Sequence, residues 1–187
     1  MLKLRAILRM CAVAALVTVA ACGDNLSQPT VLEPQMMTLS VGQQTFTRIE
    51  ERAPSTSLLS LSRIIGLLGG TISVANHSVT VPFGAVTLPT LFTLTYAGNG
   101  YVEVDATATI TDLLGRILDV GGLGFKKPVT MTLSYARATN VTDPSRLKIV
   151  RLNPNGQHEV MPSTVNTWKK TVSAQLDHFS RYALVTD

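Results

Sequence analysis

Thr171-Val172-Ser173-Ala174-Gln175-Leu176-Asp177-His178-Phe179-Ser180-Arg181-Tyr182-Ala183-Leu184-Val185-Thr186-Asp187 is the stretch whose reading decides the fold. Its first part alternates. Val172, Ala174 and Leu176 are apolar, with Ser173 and Gln175 between them. A period of two marks a strand with one buried face. Ser180 to Thr186 reads as a second β segment, and His178-Phe179-Ser180 is the corner between the two. An unbroken strand would put His178 and Ser180 on the core side with Val172, Ala174 and Leu176, and would leave Phe179 in water. A buried Phe179 therefore requires a kink or bulge here. The corner also carries the arrangement in the chain that most suggests chemistry, an imidazole two residues before a hydroxyl.

The same period recurs upstream. Val129, Met131, Leu133 and Tyr135 alternate with Thr130, Thr132 and Ser134. Val79, Val81 and Phe83 alternate with Ser78 and Thr80, after a short strand at Thr71 to Ala75 and a turn at Asn76-His77. Thr90 to Ala97 is rich in β-branched and aromatic residues. Gly98-Asn99-Gly100 is a hairpin signal, and Tyr101 to Thr111 returns with Val102, Val104, Ala106, Ala108 and Ile110 on one face. Arg146 to Leu152, the turn Asn153-Pro154-Asn155-Gly156 and Gln157 to Met161 form another hairpin. Asp112 to Gly124, with four glycines and five Leu or Ile residues, lacks clear periodicity and reads as a long, partly buried connection. Short strands with closely spaced turns predict an all-β sandwich or small barrel. Nine of the ten aromatics lie from Phe83 onward, so the packed core is expected within 69–187.

The chain ahead of this region divides in three. Residues 1–21 are an address: Lys3, Arg5 and Arg9 precede an apolar run, Met10 to Ala21, of about a dozen residues. That run is shorter than the roughly 20 residues of a membrane span and suits a signal peptide. Residues 22–57 are polar and interrupted by Pro29, Pro34 and Pro54, a flexible tether in which Met36 to Val41 is the stretch that could pair as a strand. Residues 58–68 are a more apolar flank. The spacing of Leu58, Leu59, Leu61, Ile64, Ile65, Leu67 and Leu68 fits either an amphipathic turn or two of helix or an extended segment lying on the domain.

Removing residues 1–21 changes the charge. Three of the 16 Lys and Arg residues leave with them, so 13 face 12 acidic residues and the formal charge falls from +4 to +1. A near-neutral chain has no electrostatic reason to bind nucleic acid. His77 and His158 stand alone in sequence, without the spaced Cys, His or carboxylate ligands of a zinc site. Asp105, Asp112 and Asp119 recur every seven residues but do not make a calcium loop. No glycine-rich phosphate loop leads from a strand into a helix. Neither a metal nor a cofactor is expected, and His77 reads as structural. Lys126-Lys127 and Lys169-Lys170 read as solvated strand ends.

Two resemblances add to this reading. Val19-Ala20-Ala21-Cys22-Gly23, small residues followed by cysteine, resembles the lipobox of bacterial lipoproteins. It implies cleavage before Cys22, acylation of Cys22 and anchoring in membrane lipid at the cell envelope. Because Gly23 rather than aspartate follows the cysteine, the outer membrane is favoured over the inner. Cys11 then leaves with the signal and Cys22 is consumed by lipid, so no thiol remains for a disulfide.

The second resemblance is to ZU5 domains. Gly69-Gly70-Thr71-Ile72 followed by Val79-Thr80-Val81-Pro82-Phe83-Gly84-Ala85-Val86 is similar to their opening, with Phe83 where a small residue is common and Val86 in place of leucine. Lys127 to Leu133 is similar to the later Pro-Val-x-Leu-x-Leu strand, and Leu147 to Ser163 to the next hairpin. Val172 to Leu184 is similar to the closing His-Phe-Ser strand. The resemblance covers 69–187 and implies a β-sandwich interaction module, non-catalytic, whose partner is an envelope protein or glycan. It also implies an alternative, since some members of the family cut themselves at His-Phe-Ser. Here the bond would be Phe179–Ser180. Ser180 Oγ would attack the Phe179 carbonyl in an N-to-O acyl shift, with His178 as the base.

Overall fold

A computed structural model describes residues 37–52 and 58–187, and these are all-β, in two antiparallel sheets consistent with a β-sandwich. Strands are numbered along the chain. The larger sheet has the order β1 (Thr38–Val41), β2 (Gln44–Arg48), β14 (Arg181–Thr186), β7 (Glu103–Thr111), β6 (Thr90–Tyr96) and β3 (Leu59–Ile65). Off that path, β10 (Leu147–Leu152) pairs with β14 and with β11 (Glu159–Met161), and β8 (Ile117–Asp119) pairs with β7. The smaller sheet runs β12 (Ser163–Asn166), β13 (Thr171–Leu176), β9 (Val129–Ser134), β5 (His77–Val81), β4 (Gly70–Val74).

The alternating stretches make the two inner faces. In the smaller sheet Val172 lies opposite Leu133, Ala174 opposite Met131 and Leu176 opposite Val129, all buried. Val79 faces Met131 on the next strand. In the larger sheet Val104, Ala106 and Ala108 lie opposite Tyr96, Leu94 and Phe92. Directly opposed residues in antiparallel strands share a face, so each row delivers apolar side chains to one core, to which Tyr182, Leu184, Leu147 and Ile149 also belong.

β14 does not alternate, and its neighbours explain why. Tyr182, Ala183, Leu184 and Val185 are all buried. One edge pairs with β10 along its length, while the other is shared between β7, at Arg181 to Ala183, and β2, at Val185 and Thr186. Tyr182 and Leu184 enter the main core. Val185 turns outward into a second cluster with Phe46 and Val150, bordered by Leu39, Val41, Leu152 and Val160. A continuous apolar run is stable only with cover on both faces.

That second cluster moves the domain boundary expected at Gly69. Residues 38–48, assigned to the tether, form β1 and β2 and supply the fully buried Phe46; Ile49 is fully buried in the main core. Residues 59–65 of the apolar flank are extended, as β3, and pair in register with β6 from Leu59–Tyr96 to Ile65–Thr90. β3 is an edge strand, and only its Ile65 is buried. The stretch 112–124 is partly buried, at Val120 and Gly121, but it is not an irregular connection. It contains the β7–β8 hairpin, with Leu113, Leu114 and Ile117 exposed. The turn placed at Asn76-His77 lies one residue earlier, at Ala75 and Asn76 with φ of 47° and 68°, and His77 opens β5 fully buried. Residues 1–21, read as a signal peptide, Cys22, and residues 23–36 and 53–57, read as tether, lie outside the described residues.

Candidate functional site

The corner forms because β13 stops at Leu176 and the chain bends at Asp177 and His178 before β14 begins. Phe179 turns inward. Its ring meets Phe125 edge-on at 4.7 Å between centroids and Phe92 at 5.7 Å, while Phe92 and Phe125 stack at 5.9 Å. Backbone bonds hold the bend: Phe179 N–H donates to the Gly121 carbonyl at 2.8 Å, and Phe125 N–H donates to the Asp177 carbonyl at 2.7 Å. The kink demanded by a buried Phe179 is therefore present. It is made without left-handed backbone, since among the described residues non-glycine positive φ occurs only at Ala75, Asn76 and Lys170.

Around the bond between Phe179 and Ser180 several polar groups are already engaged. Ser180 Oγ donates to the Leu152 carbonyl at 3.2 Å, and the Ser180 carbonyl accepts from Ala106 N–H at 3.1 Å. The His178 carbonyl accepts from the Tyr182 hydroxyl at 2.8 Å. Burial pushes that phenol above its ordinary range, which keeps it a donor. The Arg151 guanidinium donates to His178 Nε2 and, through its other terminal nitrogen, to Glu159. The order Glu159–Arg151–His178 follows from the sheet, since Arg151 lies opposite Glu159 on one side and Tyr182 on the other.

These hydrogen bonds tie the corner to β10 and to the backbone. An acyl shift needs a base at the serine hydroxyl. Here the hydroxyl donates to a backbone carbonyl, and His178 Nε2 accepts from a guanidinium. His178 and Ser180 are neighbours in sequence, but no hydrogen bond joins their side chains.

The other sequence candidates are dispersed. His77 stacks on Tyr96 at 5.3 Å and accepts from Ser134 N–H at 3.2 Å through Nδ1. Burial, with a smaller contribution from Arg137, lowers its pKa to about 4. His158 Nδ1 accepts from Asn153 N–H at 3.2 Å in the β10–β11 turn. Asp105 faces Arg181, Asp112 pairs with Arg116, and Asp119 accepts from Gly122 N–H. Lys127 Nζ donates to the Phe83 carbonyl at 3.0 Å, so it is tied to the surface rather than simply solvated. Among the described residues no three His, Cys, Asp or Glu side chains gather as a metal site.

Two features escaped the sequence. One is a pair of buried carboxylates. Glu51 accepts from the Tyr96 hydroxyl and lies 3.4 Å from Arg137, and Glu103 bridges Arg48 and Arg181. Their partners are far away in the chain, so nothing local announces them. The other is the end of the sandwich beyond β7, where large aliphatic side chains stand in water. Leu113 is fully exposed, Leu68 is 85 % exposed and Leu123 is 84 % exposed. A shallow cleft of about 140 Å³ opens there between Val86, Leu88, Ile110, Val120 and Phe125. The signal was present as glycine-flanked leucines, but exposure is a property of the turns and not of the pattern.

No protein-family model matches the chain, and no curated protein sequence matches it significantly.

Proposed function

We propose that the chain is a lipid-anchored cell-envelope protein whose sandwich is a non-catalytic ZU5-like binding or scaffolding module. Acylated Cys22 holds it in membrane lipid, and its further partner is an envelope component, protein or glycan. The observation that carries the binding role is the apolar end. Large exposed apolar patches mark contact sites for proteins, membranes or ligands. The engaged hydroxyl and imidazole at the corner support a structural role for His178, Phe179 and Ser180 over cleavage of the Phe179–Ser180 bond. Two or more acyl chains anchor a protein durably where one does not, which is why the lipobox resemblance matters to location.

The N-terminal peptide of the protein isolated from a bacterial envelope tests the anchor by mass. The expected peptide starts at Cys22, lacks residues 1–21 and carries acyl groups, and the Cys22→Ser chain keeps an unprocessed leader. An unmodified Cys22 in the wild type would overturn the anchor.

A further inference from the structure

We infer that the apolar end of the sandwich is a bilayer-docking surface whose leucine-tipped turns insert among phospholipids at the membrane interface. This names the bilayer, in place of an envelope protein or glycan, as what the apolar end contacts, and it rests on the lipid-anchored reading. Three turns carry the argument. Gly66-Leu67-Leu68-Gly69 joins β3 to β4, Asp112-Leu113-Leu114-Gly115 joins β7 to β8, and Gly121-Gly122-Leu123-Gly124 follows β8. Turn apices are ordinarily polar, yet each of these presents leucine. They lie together. Gly84 N–H, in the loop after β5, donates to the Leu67 carbonyl at 2.8 Å, and Lys126 N–H to the Ala85 carbonyl in the same loop at 3.1 Å. That loop adds Phe83, 60 % exposed, and Leu88, 57 % exposed.

The tips are built rather than loose. Asp112 Oδ1 accepts from Leu114 N–H at 2.9 Å and Arg116 N–H at 2.8 Å, and Asp119 Oδ1 accepts from Gly122 N–H at 3.1 Å. Gly69, at φ +74°, has no room for a side chain, since a Cβ would meet the Val81 carbonyl oxygen at 2.3 Å. Protruding apolar points suit a fluid medium that closes around them. In these turns and beside them Arg63, Arg116, Lys126 and Lys127 stand against Asp112, Asp119 and Asp177, a formal charge of only +1. Insertion of apolar surface, not attraction to anionic lipid, is then the driving force.

Chain length permits the contact. Thr38 pairs with Thr47, and Thr47 with Thr186, at the opposite end of the sandwich from Thr111. Cys22 and Met37 are fifteen residues apart, a contour of up to ~50 Å. The nine residues of β7 span about 30 Å. A domain anchored through Cys22 can therefore lay its far end on the same bilayer.

The test uses a chain from Gly23 to Asp187, which holds every described residue and no lipid, so failure of acylation at Cys22 does not affect the outcome. It is sedimented with phosphatidylcholine vesicles, with and without phosphatidylglycerol. Both vesicles should retain it, with little effect of salt. Leu113→Asp with Leu114→Asp should lower partitioning by about tenfold or more. Trp168→Asp should leave it unchanged. Trp168 is the chain's single tryptophan and is 89 % exposed in the turn before β13, at the other end. Its emission should therefore stay that of a water-exposed indole on bound vesicles. Both variants alter exposed side chains, so unchanged melting temperatures check the fold. Absence of vesicle binding, equal binding by the leucine variant, a blue-shifted Trp168, or a solution dimer that the leucine variant dissolves would each overturn the proposal.

Discussion

Single side chains carry much of the account. Phe179 decides the shape of the corner, because an aromatic ring is worth burying and the alternation of β13 would have exposed it. His77 illustrates the cost of the opposite choice, a titratable ring sealed in the core. It packs on Tyr96 with Arg137 as the charged neighbour, and its pKa falls from 6.5 to about 4. Between those values the unfolded chain takes up a proton that the folded chain refuses. Stability therefore falls as pH drops from about 6.5 to about 4, by roughly 3 kcal/mol over that window. Urea denaturation of the wild type and His77→Gln from pH 7 to pH 4 measures it. The variant starts less stable, and its deficit should narrow as the pH falls. A deficit that stays constant would show that His77 is not the titrating group.

At the scale of elements, legibility followed periodicity. β5, β7, β9 and β13 alternate cleanly, and each could be read from the residues because water selects one face. β14 was readable as a strand, but its four consecutive buried residues needed a second cover that nothing nearby announced. That cover is β2, where Gln44-Thr45-Phe46-Thr47-Arg48 has one apolar residue in a polar, proline-broken stretch. β3 was ambiguous because an edge strand is wet on both faces. At the corner the same division holds. The need for a kink was local and legible. Arg151, 27 residues before His178 in the chain, was not, because only the β10–β14 register brings it there.

β1 and β2 belong to the folded sandwich, so emptying or removing them has a measurable cost. Phe46→Ala should cost about 3 kcal/mol or more in a denaturant melt, the usual range for emptying a buried aromatic site. A chain starting at Gly69 should fail to give a cooperative melt where one starting at Gly23 succeeds. Removing residues ahead of Gly69 strips β1, β2 and β3 and opens the outer face of β14. Equal melts for the two chains would return β1 and β2 to the tether.

At the scale of the whole molecule, the two ends of the sandwich differ. One holds buried carboxylates paired with arginines, next to the strand through which the chain enters. The other presents leucine at its turns and keeps the His178-Phe179-Ser180 corner close by. The sandwich needs an intact closing strand. Loss of Ser180 to Asp187 would remove β14, the strand on which β2, β7 and β10 all pair.

The integrity of that strand is the claim on which the account turns. The most direct measurement is the intact mass, under denaturing conditions, of the Gly23 to Asp187 chain beside its Ser180→Ala variant after long incubation. The account predicts two full-length masses, with Ser180 serving the Leu152 carbonyl and His178 serving Arg151. A wild type lacking the mass of Ser180 to Asp187, beside an intact variant, would contradict it and make the corner a self-cleaving site.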